Sequence, residues 1–313
     1  MTATTATAAT TAVKTTRIKL MLAYDGTDFC GWQHQGGVRT VQSDVEAALA
    51  KIIGEPTHVQ AAGRTDSGVH ALAQCAHFDA PDRLSHVPWD KALNGLLAPD
   101  VRVLSARAAA PGFHAQFDAR SKIYAYTIWL ERGPVNPLRR RFVWSPRPPS
   151  LDLAAMDEAA AVLIGTHDFN SFRNLGTPLG DRGTVRTLAG IWRQPGGPAE
   201  MVWRFQANGF LKQMVRNIMG CLVAVGRGKV APADVRLILE KRDRSFAPPT
   251  APALGLCMER VFYPEDMPAC PEGLSGGPQN ARSAVAASKD AAYDEHQMAG
   301  GGHAPRPEPH ERD

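Results

Sequence analysis

An arginine and an aspartate stand two residues apart in the stretch "GRTDSGVH", Arg64 and Asp66, with Gly63 and Gly68 on either side. A carboxylate in a glycine-flanked turn reaches a cleft at little steric cost. If the turn is locally extended, Arg64 points the same way as Asp66. A guanidinium so placed favours the ionised acid, and an ionised aspartate suits a nucleophile rather than a proton donor. The bland reading is a surface turn with an ordinary ion pair, and on pattern alone it is the commoner outcome.

The neighbours of Asp66 open other chemistries only weakly. Ser67 and His70 would suit a hydrolase, but the stretch lacks the G-x-S-x-G elbow. His70, Cys75 and His77 match no zinc spacing and read better as strand side chains. No Walker loop and no G-x-G-x-x-G is present, so nucleotide-dependent chemistry has no support. Tyr124 and Tyr126 share a strand face; sheet packing is the usual role, but a tyrosine at a cleft edge also stacks on a base. Arg216, on the polar side of a long helical pattern, is usually just solvated. Beside a nucleic-acid cleft it would hold a phosphate.

Composition narrows the class. The chain has 313 residues, 44% of them hydrophobic, enough for one large core or two smaller ones. No apolar run is long enough to span a bilayer, and the N-terminal "MTATTATAATTAVKTTR" has no apolar core of a secretory signal. Five scattered cysteines, odd in number and never in a CxxC pair, argue against a disulfide framework and for a reducing compartment. Net charge is +4, but from Glu265 onward nine acids face four bases, so that tail is −5 and the rest is +9. A basic body suits a polyanion.

The elements that must position these residues follow from periodicity. "TRIKLMLAY" alternates Ile18, Leu20, Leu22 and Tyr24 on one face of a strand. A polar, glycine-punctuated loop covers 24–37. Thr40 can cap a helix with Val41, Val45, Leu49 and Ile52 as its apolar stripe. A short strand from about Thr57 to Ala62 leads into the Arg64–Asp66 turn, and "ALAQCAHF" follows as a strand. Pro88 opens a helix, "VRVLSARA" and "SKIYAYTIWL" are strands, and Ser150 or Asp152 caps a helix carrying Leu153, Met156, Ala160 and Leu163. "TVRTLAGIWR" and "EMVWRFQA" form a hairpin. "NGFLKQMVRNIMGCLVAVGRG" is predicted as the longest helix, with Phe210, Met214, Ile218, Leu222 and Val225 buried and Gly226 or Gly228 at its end. "PADVRLILEK" is a helix and "LGLCMERVFYP" a last strand. Residues 1–16 and 265–313 lack periodicity and read as a disordered arm and a disordered acidic tail. The irregular mixture is α+β, an antiparallel sheet backed by helices.

Eight stretches, among them "YDGTDFCGWQHQ", "AAGRTDSGVHALAQCAHF", "LNGLLAPDVRV", "GTHDFNSF", "NGFLKQMVRNIMG" and "GLCMERVFYP", stand in the order and approximate spacing of the tRNA pseudouridine synthase A family. The chain resembles that family from about Arg17 to Pro264. The resemblance implies two RNA-recognition-like (ferredoxin-like) α+β halves, residues 17–110 and 111–264, joined in one long antiparallel sheet with a central cleft. It implies a cytoplasmic enzyme without cofactor or metal, usually a homodimer, acting on uridines of the tRNA anticodon stem-loop. By motif, Asp66 would be the catalytic nucleophile and Arg64 its ionic partner. Tyr124 would stack on the target base, and Arg216 and Leu256 would line the pocket. Ser67, Cys257 and Met258 depart from the family's usual residues. The rival readings are a non-catalytic RNA-binding protein of the same fold and a metal-assisted hydrolase.

Overall fold

Alternation becomes sheet where the apolar residues demand it. The structure is a computed structural model that describes residues 14–147, 150–176 and 183–266. The first strand, β1 (Thr15–Tyr24), buries Ile18, Leu20, Leu22 and Tyr24. Helix α1 (Val41–Ile53) starts at Thr40, whose Oγ1 accepts from Ser43 N while Ser43 Oγ accepts from Thr40 N. This capping box satisfies two otherwise orphaned amides. Then come β2 (Gln60–Ala61), β3 (His70–Pro81), α2 (Trp89–Asn94), β4 (Val101–Ala108) and β5 (Ser121–Trp129). Asp152 caps α3 (Leu153–Val162), and β6 (Gly165–Asp168) precedes the hairpin β7 (Val185–Pro195) and β8 (Glu200–Ala207). Helices α4 (Met214–Gly226) and α5 (Asp234–Lys241) and strand β9 (Leu256–Phe262) complete the fold.

The strands form one nine-stranded sheet in the order β4-β1-β3-β9-β5-β8-β7-β6, with β2 pairing to β3 off that path. The sheet is not wholly antiparallel as expected. Strands β3 and β9 pair in parallel over His70↔Cys257 and Ala71↔Met258. Both strands begin where a chain segment leaves the same cleft, so both run away from it in one direction. The remaining strand pairings are antiparallel.

Helices pack against the sheet. Phe78 of β3 meets Trp89 of α2 edge-on at 5.0 Å, and Leu20, Leu49 and Leu93 are fully buried. Farther along the sheet Tyr126, Trp203 and Phe205 are also fully buried. The segment after α5 runs directly over α4, and a Cβ at Gly220 would come within 2.1 Å of the Pro249 carbonyl oxygen. Only glycine permits that approach.

Three expectations shift. The helix expected from Asn208 begins at Met214, because Gln213 takes a left-handed φ of 61° and breaks the spiral. Phe210 therefore leaves the helical stripe for the cleft. The N-terminal strand begins at Thr15, inside the expected arm. Glu265 and Asp266, assigned to the tail, close a short 3-10 turn, and Glu265 pairs with the buried Lys19 at 2.8 Å. The rest of the expected arm and tail, 1–13 and 267–313, lies outside the described residues. No described helix is long and apolar enough to cross a membrane.

Candidate active site

The turn carrying Asp66 is held from below. Thr65 is buried, and its hydroxyl meets Tyr24 Oη at 2.9 Å. Gln74, fully buried on β3, donates to the Gly63 carbonyl at 2.7 Å and to Tyr24 Oη at 3.4 Å. Trp32 N donates to Thr65 O at 3.0 Å, and Ser67 Oγ to Phe29 O at 3.2 Å. Val69 N closes a β-turn on Asp66 O at 3.1 Å, with Gly68 at φ +77° in its third position. That geometry is type II and favours glycine there. With Thr65 turned inward, its neighbours Arg64 and Asp66 face the cleft.

Asp66 does not pair with Arg64. Its Oδ2 accepts from Arg216 Nη1 at 3.1 Å, and the two side chains are only 20% and 16% exposed. Arg216 sits in the first turns of α4, and its Nε donates to Ala251 O at 2.9 Å. Ala251 N returns a bond to Arg216 O at 3.1 Å. The guanidinium is thus fixed by the segment that Gly220 lets pass, before it reaches Asp66. Arg64 is exposed on the cleft wall. Arg216, expected to line the pocket or to hold a phosphate, makes the ion pair expected of Arg64. A guanidinium already pinned by Ala251 O and largely buried loses less freedom on pairing than an exposed one.

The cleft has a volume of about 1530 Å³. Among the described residues its wall carries six cationic side chains, Arg64, Lys122, Arg173, Arg186, Lys212 and Arg216, against one carboxylate, Asp66. Tyr124 lines it from β5, 7% exposed, with its ring edge-on to Phe210 at 5.1 Å. Burial raises the Tyr124 phenol well above its ordinary value, and Tyr24 and Asp66 add to the rise. The structure separates Tyr124 from Tyr126, whose hydroxyl donates to Pro252 O at 2.6 Å as part of the packing. Leu256, the first residue of β9, closes the wall and is 5% exposed.

The expected set comes together: Asp66, Arg64, Tyr124, Arg216 and Leu256 all line one cleft. Among the lining residues that were missed, two show why. Lys122 donates to Ala62 O at 2.6 Å; it lies two residues before Tyr124, and strand alternation alone places both on one face. Phe210 was hidden by the helical pattern. The histidines near Asp66 are engaged in packing. His70 Nδ1 accepts from Gly26 N at 3.0 Å and His77 Nδ1 from Ala115 N at 3.2 Å.

The family model for tRNA pseudouridine synthase matches residues 20–118 and 159–264, which includes both Asp66 and Arg216. The chain belongs to the tRNA pseudouridine synthase family. It is 55% identical over 251 residues to tRNA pseudouridine synthase A of Solidesulfovibrio magneticus, covering 79% of this chain and 91% of that one. The namesake of Geobacillus kaustophilus is 44% identical over 253 residues, 80% and 96% of the two chains. A solved Cbf5-Nop10-Gar1 complex aligns over 77% of this chain and 48% of its own at TM-score 0.34 and 10% identity, too low to bear on the fold. Of the departures from the usual family residues, Ser67 lines the cleft and Met258 is fully buried. Ser67 spends its hydroxyl on Phe29 O, and burial pushes the Cys257 thiol up to about 12, so it stays neutral.

Proposed function

We propose that this protein isomerises uridine to pseudouridine in the anticodon stem-loop of tRNA, with Asp66 as the reacting carboxylate. The observation that carries the reading is the Asp66–Arg216 pair at 3.1 Å, with Asp66 the one carboxylate among the described residues of a cationic cleft. Family membership supplies the reaction; the cleft supplies its parts.

The reaction breaks the bond between ribose C1′ and N1 of uracil, turns the base, and joins C5 to C1′. The C5 hydrogen leaves as a proton and N1 regains one, so atoms and electrons balance. Asp66 acts as an anion, by attack on C1′ or by taking the C2′ proton, and Arg216 offsets the desolvation cost of that anion. Tyr124 and Leu256 form the walls that shelter the detached uracil. The target base must first leave its stack, at a cost of about a few kcal/mol, and stacking on Tyr124 recovers part of it. Arg64, with no ion pair to Asp66, is a phosphate contact in this reading.

The sheet supports the two-half reading. β4-β1-β3 carries α1 and α2, and β9-β5-β8-β7 carries α3 and α4. In each half the last strand lies beside the first, as in a ferredoxin-like unit. The cysteines among the described residues are free, which fits the cytoplasm. A homodimer belongs to the same reading, and its sedimentation mass tests it.

Asp66→Asn keeps shape and loses charge. Tritium release from C5-labelled uridine in tRNA is expected to vanish while tRNA binding stays close to wild type. A residual rate within about tenfold of wild type, only ~1.4 kcal/mol, would remove Asp66 from the chemistry.

A further inference from the structure

Phe117 is 64% exposed, although it stands on the wall of the Asp66 cleft. Its ring is stacked on His114, centroids 4.1 Å apart and planes at 27°. His114 also lines the cleft, and the His77 ring backs it edge-on at 4.8 Å. The pair is rigidly mounted. His114 N donates to Asp118 Oδ2 at 2.7 Å and Asp118 N to His114 O at 3.0 Å. His114 Nδ1 accepts from Gln116 N at 3.1 Å and Phe117 N at 3.2 Å. Tyr263 Oη ties the Ala115 carbonyl at 2.7 Å.

An ordered turn that holds a phenylalanine outward forgoes the stabilisation of burying it. One face of the ring rests on His114, and most of the rest is left to solvent. Its Nδ1 already engaged by two amides, His114 is not offering that nitrogen to an ion. Burial lowers the His114 pKa, with the Arg17 charge adding, so the stacked pair is uncharged at neutral pH. A neutral, flat, rigid platform has nothing to hold a phosphate. It matches the face of a nucleobase, and the six cationic side chains of the same cleft match the backbone that would carry that base.

We infer that Phe117, backed by His114, is a stacking site for an unpaired nucleobase of the bound tRNA other than the target uridine. The target goes to Asp66 and Tyr124; this base lies at the cleft edge and holds the strand in register. The inference rests on the tRNA reading above. Stacking is tolerant of sequence, because every base has a π face. The platform therefore contributes affinity across substrates rather than choice between bases.

Phe117→Ala is expected to weaken tRNA binding about fivefold to hundredfold, the span of one base–aromatic stack. The salt dependence of Kd should keep its slope, since no phosphate contact is lost. Phe117→Trp is expected to restore binding, and tRNA should quench the introduced tryptophan beyond the change shown by wild type; heparin should not. A Kd for Phe117→Ala within about twofold of wild type overturns the inference, as does a tryptophan untouched by tRNA. A changed sedimentation mass in Phe117→Ala also overturns it, placing the ring between copies of the chain. Binding is read without catalysis. A wild type that binds tRNA but makes no pseudouridine therefore refutes the functional reading and not the platform.

Discussion

Asp66 and Arg216 are 150 residues apart in sequence and 3.1 Å apart in the cleft. One comes from the turn before β3, the other from the start of α4, so the pair ties an early stretch of the chain to a late one. A fixed cation beside the acid gives the carboxylate a charged hydrogen-bond partner inside the cleft.

Arg216 is therefore expected to matter for turnover. Arg216→Ala removes a charged hydrogen bond of about 1.5–3 kcal/mol, roughly tenfold to hundredfold in kcat. Arg216→Lys should fare little better. A lysine cannot hold Ala251 O and Asp66 at once with a planar fork. Single-turnover rates at saturating enzyme check this, and a wild-type rate for both variants would deny the pairing a role.

Arg64 should behave differently from Arg216. Exposed and unpaired with Asp66, it is expected to act on the backbone of the substrate rather than on the acid. Arg64→Ala is expected to raise KM and to reduce the salt slope of tRNA binding by about one, with kcat nearly unchanged. A large fall in kcat with an unchanged slope would return Arg64 to the side of Asp66.

Local signals carried most of the scaffold. The Thr40 cap, the β7–β8 hairpin and the inward face of β1 each depend on residues within a few positions of one another. The Gly68 turn after Asp66 is local too, although Tyr24, Trp32 and Phe29, distant in sequence, hold it in place. What escaped depends on distant contacts. Arg216 could be placed at the cleft, but not on Asp66, because Ala251 and Gly220 aim it there. Helical periodicity continues through Phe210, yet Gln213 at φ 61° starts the helix later. The parallel β3–β9 pair has no signature in either strand alone.

The short turn at Pro264–Asp266 gives a structural test. Lys19 is 5% exposed, lies 3.9 Å from the centre of the Tyr263 ring, and pairs with Glu265. Truncation after Pro264 removes that carboxylate and leaves a buried ammonium without its acid. The glutamate is half exposed, so the expected cost is only about 1 kcal/mol, a fall of about 2–4 °C in Tm. Truncation after Asp266 keeps the pair and should leave Tm unchanged. Equal melting of both truncations would show that the pair contributes nothing.

His77 makes stability depend on pH. Burial, then Arg17 and His114, push it down to about 4, while Asp79 and Asp118 oppose them. Unfolded, it titrates near 6.5. Between those values the unfolded chain takes a proton that the folded chain refuses. Its contribution is therefore complete above about 6.5 and is lost as pH falls toward 4. His77→Gln keeps an acceptor for Ala115 N and removes the titration. Thermal melts from pH 7 to pH 5 should then fall less steeply for the variant than for wild type. Parallel curves would mean that His77 is protonated in the folded state.

Tyr124 offers the sharpest test of the site, because its two possible roles need different protonation states. Burial first, then the charges of Tyr24 and Asp66, raise its phenol well above the ordinary value of 10.0. A raised value keeps the hydroxyl protonated at every pH below that. The phenolate that could accept the C5 proton is scarce, whereas the neutral ring stacks without change. Tyr124→Phe is accordingly expected to keep the single-turnover rate within about tenfold of wild type, and the wild-type rate should show no rising limb from Tyr124 between pH 7 and pH 10. Tyr124→Leu loses the ring itself, about 1–3 kcal/mol of stacking, and should slow turnover further. A collapse of Tyr124→Phe by more than about a thousandfold, with a rearranged nucleoside still protonated at C5, would show instead that the phenolic oxygen takes that proton. A Tyr124→Leu enzyme as fast as wild type would reduce the residue to a packing partner of Phe210.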